Sequence, residues 1–106
     1  MKKAKLPVSV SYIQKCLNEV LNKINDNRIN SIFLFGSYAK GTATASSDID
    51  LFVDVDEGFS LFDLAGLQMD LEKALCTKVD LATKKDDEYF INVISRDAIK
   101  LYERKS

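Results

Sequence analysis

Residues 31–55, SIFLFGSYAKGTATASSDIDLFVDV, decide how this chain is read. Ser31 to Phe35 ends in four consecutive apolar residues, Ile32, Phe33, Leu34 and Phe35. Such a run predicts an interior strand covered on both faces. Ile49 to Val55 instead alternates. Ile49, Leu51, Val53 and Val55 take one face, and Asp48, Asp50 and Asp54 the other, as expected for a strand with one face on a core. Phe52 interrupts the acidic side, so that face should be covered in part. Gly36-Ser37-Tyr38-Ala39-Lys40-Gly41 joins the strands, with a short helical segment expected at its start, followed by the polar run 42–47.

Outward from this segment, helical periodicity takes over. Ile13, Leu17, Val20, Leu21 and Ile24 recur at helix spacing, predicting a helix from about Ser9 to Asn27 with Ser9 or Ser11 as its cap. Downstream, Leu64, Leu67, Leu71 and Leu75 form one stripe between Ser60 and Cys76. Ser60 followed by Asp63 has the spacing of a capping box. Val79-Asp80-Leu81-Ala82 reads as a short strand, Lys84 to Glu88 as a charged turn, and Phe90, Val93 and Ile94 as a short helix. Ala98 to Tyr102 fits either a last strand or a further helical turn. Helices alternating with short strands give an α/β (α+β) domain with a small mixed β-sheet flanked by helices. The 106 residues suit a single domain spanning 1–106.

Composition narrows the chemistry. The chain has 15 Lys+Arg against 16 Asp+Glu, a net charge of −1, and no His. A histidine-dependent triad or finger is excluded, and nucleic-acid binding by bulk charge is not expected. The diffuse basic side of Arg96, Lys100, Arg104 and Lys105 is too sparse to change that, and Lys84 and Lys85 read as a solvated turn. Neither a signal peptide nor a membrane span is expected, and the cytoplasm is the default location. Two cysteines, Cys16 and Cys76, make neither a disulfide framework nor a zinc site; both are expected to be reduced and buried.

The chemistry-bearing residues cluster around the quoted stretch. Gly36 permits a tight turn and close approach of a ligand, Ser37 supplies a hydroxyl, and the free N–H groups that follow attract an anion. The Lys-Ser/Thr ending of a P-loop and the three glycines of a dinucleotide fingerprint are both missing. Asp48 and Asp50 lie two apart on one strand face, with Cα atoms about 6.6 Å apart. Two carboxylates about 4 Å apart repel by about 1 kcal/mol in water-like surroundings and about 4 kcal/mol at an effective dielectric of 20. A pair beside a partly buried strand therefore asks for a metal or a proton, and oxygen ligands favour Mg²⁺ or Mn²⁺. Asp80, flanked by apolar Val79 and Leu81, joins them if its strand lies beside Ile49–Val55. It would then complete the metal site or accept the attacking hydroxyl's proton. Phosphoryl or nucleotidyl transfer fits this set and needs no histidine.

The stretch from Gly36-Ser37 through ten intervening residues to Asp48-Ile49-Asp50 resembles the minimal nucleotidyltransferases of the polymerase beta-like superfamily, which are often paired with a HEPN-domain ribonuclease. Val79-Asp80-Leu81 resembles the third acidic strand, and the likeness runs over nearly the whole chain. The resemblance implies the nucleotidyltransferase fold. It implies that Gly36 and Ser37 contact a triphosphate, that Asp48 and Asp50 ligate Mg²⁺, and that Asp80 completes the acidic triad. It further implies an antitoxin that transfers AMP from ATP to a tyrosine of a HEPN-domain toxin. Where that family commonly has Arg, this chain has Tyr38 and Lys40. Lys40 still offers charge to a phosphate without arginine's bidentate geometry, and Tyr38 reads as a surface or partner-facing aromatic. Two other readings stand beside this one: a non-catalytic module that neutralises its partner by contact, and a transferase with a small-molecule or RNA acceptor. A second protein or a second subunit, in a hetero- or homo-oligomer, would help form the acceptor cleft.

Overall fold

The computed structural model describes residues 7–83 and 97–105. Elements follow in the order α1 (Val10–Ile24), β1 (Ile29–Phe35), α2 (Ser37–Lys40), β2 (Ile49–Val55), α3 (Leu61–Leu75), β3 (Val79–Thr83) and β4 (Ile99–Glu103). The four strands form one mixed sheet in the order β3-β2-β1-β4. β1 runs antiparallel to both β2 and β4, and β2 runs parallel to β3. The ambiguous 98–102 segment is thus an edge strand. The predicted turn at 84–88 and helix at 90–94 lie outside the described residues, as do Lys84, Lys85 and Arg96.

One core accounts for the arrangement. Ile13, Leu17 and Val20 of α1 and Leu67, Leu71 and Leu75 of α3 pack with Ile32 and Leu34 of β1 and Ile49, Leu51 and Val53 of β2. The alternation read in β2 is therefore literal. For β1 the expected burial on both faces is only half met: Ile29, Ile32 and Leu34 are buried, while Ser31, Phe33 and Phe35 are half-buried. Both long helices belong to the core on the inner face, and the outer face carries the tilted Phe33–Phe52 pair, 6.5 Å between centroids. A register shift between Ile29 and Ser31 lets Ile29 and Ile32, three apart, both point inward, as a bulge does.

The helix ends obey the sequence. Ser9 caps α1 by accepting the Tyr12 N–H, and Asn25 closes it in the left-handed conformation. Ser60 Oγ accepts the Asp63 N–H at 3.2 Å, and Asp63 Oδ2 accepts the Ser60 N–H at 2.9 Å, so the capping box is complete. Cys16 is buried, as expected, but Cys76 is exposed. It lies one residue beyond the leucine stripe as the left-handed C-cap of α3 (φ 54°), where the chain leaves the core. Arg28 fastens the start of β1 to the loop before α3. It donates to Asp26 and to the Gly58 carbonyl, both at 2.7 Å, and lies 5.2 Å from the Phe59 ring centre. Among the described residues no helix is long and apolar enough to cross a membrane.

Candidate active site

The sheet topology brings the acidic residues to one corner. β2 and β3 are parallel and in register, with Asp50 beside Asp80, so the two residues sit on adjacent strands about 4.8 Å apart. The register is set at the strand starts. The Ile49 N–H donates to the Lys78 carbonyl at 2.9 Å, and the Val79 N–H donates to Glu72 Oε2 of α3 at 2.9 Å. Asp48 immediately precedes β2, two residues from Asp50. On the other side Asp50 pairs with Phe35, the last residue of β1. The chain leaving β1 therefore turns directly over the acidic corner.

That turn is Gly36, with φ 76° and ψ −154°, a region open essentially to glycine alone. A Cβ built there would overlap Asp50 Oδ2 and lie 3.2 Å from its Cγ. The Asp50 carboxylate thus rests against the Gly36 backbone, in space that any side chain would fill. α2 begins at Ser37. The Ala39 and Lys40 N–H groups both donate to the Gly36 carbonyl at 3.1 Å, which leaves the Ser37 and Tyr38 N–H groups ahead of the first helical hydrogen bond. Ser37 is half-buried and Lys40 exposed.

The ten-residue spacing from Ser37 to Asp48 has a local cause. α2 uses its first turn, and Gly41, left-handed at φ 80°, closes it as the Thr42 N–H donates to the Ser37 carbonyl at 2.9 Å. The polar run then folds on its own hydroxyls: the Thr44 N–H donates to Ser47 Oγ at 2.8 Å, and the Ser47 N–H donates to the Thr44 carbonyl at 3.0 Å. Only Asp48 remains before β2. The seating of Asp50 against Gly36 and this hydroxyl-laced turn were not read from the sequence; the Thr/Ser density of 42–47 is the signal for the second.

Tyr38 corrects an expectation. It is not a surface or partner-facing aromatic but is 6% exposed and part of the hydrophobic core.

Electrostatics single out Asp50. Burial pushes its carboxyl above the ordinary carboxylate range, and the charges of Asp80 and then Asp48 push it further. Asp48 and Asp50 are half-buried and Asp80 is exposed. The three share one corner and one another's field, yet among the described residues no three Asp, Glu or Cys side chains close into a cluster that holds an ion unaided. Among the described residues, two surface concavities lie away from this corner. One of about 530 Å³ separates α1 from α3, and one of about 390 Å³ sits beside Val55 and Thr83 at the far ends of β2 and β3.

Similarity to known proteins agrees with this geometry. A candidate protein adenylyltransferase of Methanocaldococcus jannaschii is 40% identical over 96 residues, covering 86% of this chain and 96% of its own length. The solved structure of a candidate minimal nucleotidyltransferase superposes with a TM-score of 0.75 at 29% identity, over 87% of this chain and 95% of that one. A toxin–antitoxin complex solved with AMP-PNP contains a chain matching at a TM-score of 0.72 and 25% identity, over 87% of this chain and 74% of that one. The profile of the family described as polymerase beta nucleotidyltransferase matches residues 15–106, and the chain belongs to that family.

Proposed function

We propose that this chain transfers AMP from ATP to a tyrosine hydroxyl of a HEPN-domain ribonuclease toxin, with Mg²⁺ as its metal, and so serves as the antitoxin. One observation carries the reading. Asp50 lies against Gly36 with Asp80 and Asp48 in its field, which sets concentrated negative charge directly beside backbone donors suited to an anion. A bare phosphate or a bare cation would satisfy one half of that corner. A metal–nucleotide pair satisfies both.

Asp48, Asp50 and Asp80 would hold Mg²⁺ with oxygen donors alone, an open set that leaves positions for phosphate oxygens. When bound, the ion offsets charge on the triphosphate and on the departing pyrophosphate. The chain's own residues do the rest. Gly36, lacking a Cβ, lets the Asp50 carboxylate sit against the turn, and Ser37 donates a hydrogen bond to a phosphate oxygen. Lys40 sets an ammonium at the exposed end of α2. The tyrosine oxygen attacks the α-phosphorus, its bond to the β-phosphate oxygen breaks, and pyrophosphate leaves. Asp80, the most open of the three carboxylates, takes the hydroxyl proton.

The test is intact-mass analysis of a HEPN-domain partner protein, incubated with this chain, Mg²⁺ and each of four nucleoside triphosphates. ATP should add one or more AMP units, and Asp48→Asn or Asp50→Asn should abolish the addition. An unmodified partner in the presence of folded wild-type chain refutes the proposal. A second reading, neutralisation by contact alone, draws on α3, where Leu61 and Phe62 are 79% and 89% exposed. Under that reading neutralisation survives both substitutions.

A further inference from the structure

We infer that Tyr38 is a positioning residue for the nucleotide: its buried ring sets the rotation of α2 and thereby holds Ser37 and Lys40 on the phosphate side. The inference rests on the proposed nucleotide site and adds a residue that the site's own chemistry does not use. α2 has four residues, and a helix of that length has no stability of its own. The hydrogen bonds to Gly36 and Ser37 close its single turn, but they do not fix which way the turn faces.

Burial fixes it. Of the four residues only Tyr38 is buried, at 6% exposure, while Ala39 lies at the edge of the core, Ser37 is half-buried and Lys40 is exposed. Successive helical residues advance by about 100°, which places Lys40 about 200° and Ser37 about 100° from Tyr38. Seating the ring in the core therefore turns Lys40 fully outward and leaves Ser37 at the boundary, next to Gly36 and Asp50. A phenol in that position acts through its neighbours. Its volume is what matters, and among the described residues its oxygen is not a buried atom lacking a partner.

The experiment uses the intact chain and measures AMP-PNP binding with Mg²⁺ by calorimetry, then KM for ATP and kcat on the partner. Tyr38→Leu should weaken AMP-PNP binding and raise KM by about ten- to a hundred-fold, the scale of one lost hydrogen bond to a charged group, while kcat changes far less. Tyr38→Phe should restore both values to near wild type. Val20→Ala, an equally buried change in α1, should lower thermal stability and leave binding unchanged. If Tyr38→Leu does not fold, Tyr38→Met carries the same comparison. Wild-type affinity in the Leu or Met variant, or equal weakening by Val20→Ala, overturns the inference. Wild-type chain that binds AMP-PNP but leaves the partner unmodified overturns the proposed acceptor and not this inference; wild-type chain that does not bind AMP-PNP overturns both.

Discussion

Gly36→Ala tests the corner where turn and carboxylate meet. Two terms act on the folded state. The backbone at φ 76°, ψ −154° is strained for any residue with a side chain, by about 1–3 kcal/mol. The new methyl also overlaps Asp50 Oδ2, and driving that side chain off its rotamer costs about 0.5–1.5 kcal/mol. Alanine restricts the unfolded chain and returns about 0.4–1 kcal/mol. The net loss is about 2 kcal/mol, which in a chain of this size lowers Tm by about 8–16 °C. Thermal unfolding followed by circular dichroism measures it, and a double-mutant cycle with Asp50→Ala separates the two terms. Removing the Asp50 carboxylate should relieve the overlap and leave the backbone strain, so the two changes should be non-additive. Gly41→Ala is the control: it shares a positive φ (80°) but has nothing within 4 Å of the added Cβ, and should show no coupling to Asp50. Gly36→Ala with wild-type Tm, or additivity with Asp50→Ala within about 0.5 kcal/mol, refutes the reasoning.

Asp50→Asn should raise stability at neutral pH in metal-free buffer. The folded-state pKa of Asp50 lies above its unfolded value through burial, Asp80 and Asp48, so the folded state holds the proton more tightly and wild type loses stability as pH rises through that pKa. The Asn advantage should therefore be present at pH 7 and vanish below the ordinary carboxylate range, as pH-dependent melting will show; an advantage that grows toward acid contradicts the assignment. Ser60→Ala breaks the capping box of α3 and should cost about 1 kcal/mol, read as a lower urea midpoint at unchanged m-value; an unchanged midpoint would show that α3 is held by its leucine stripe alone.

Much of this was legible because single residues carry strong constraints. The alternation of Ile49 to Val55 gave β2 and its acidic face, and Ser60 with Asp63 gave the start of α3. The pairing of Asp80 with Asp50 was readable only as a condition, since sequence does not state which strands are neighbours. Phe33 and Phe35 misled because an apolar run does not distinguish two covered faces from one covered face and one aromatic-lined one. Ala98 to Tyr102 was ambiguous because five residues fit either period. Tyr38 was misplaced because a single turn of helix has no periodicity from which to read its buried side, and Cys76 because a C-cap continues the composition of its helix while its backbone leaves the core. The contact of Gly36 with Asp50 is invisible in sequence: fourteen positions separate them, and only the β1–β2 register brings them together.

Calorimetric titration of wild type, Asp50→Asn and Asp80→Asn with ATP and Mg²⁺ tests the corner as a metal–nucleotide site most directly. Wild type should bind ATP only when Mg²⁺ is present, and each Asn variant should bind it more weakly while melting as a folded protein. Absence of binding to folded wild type, or equal affinity in all three chains, would contradict the account.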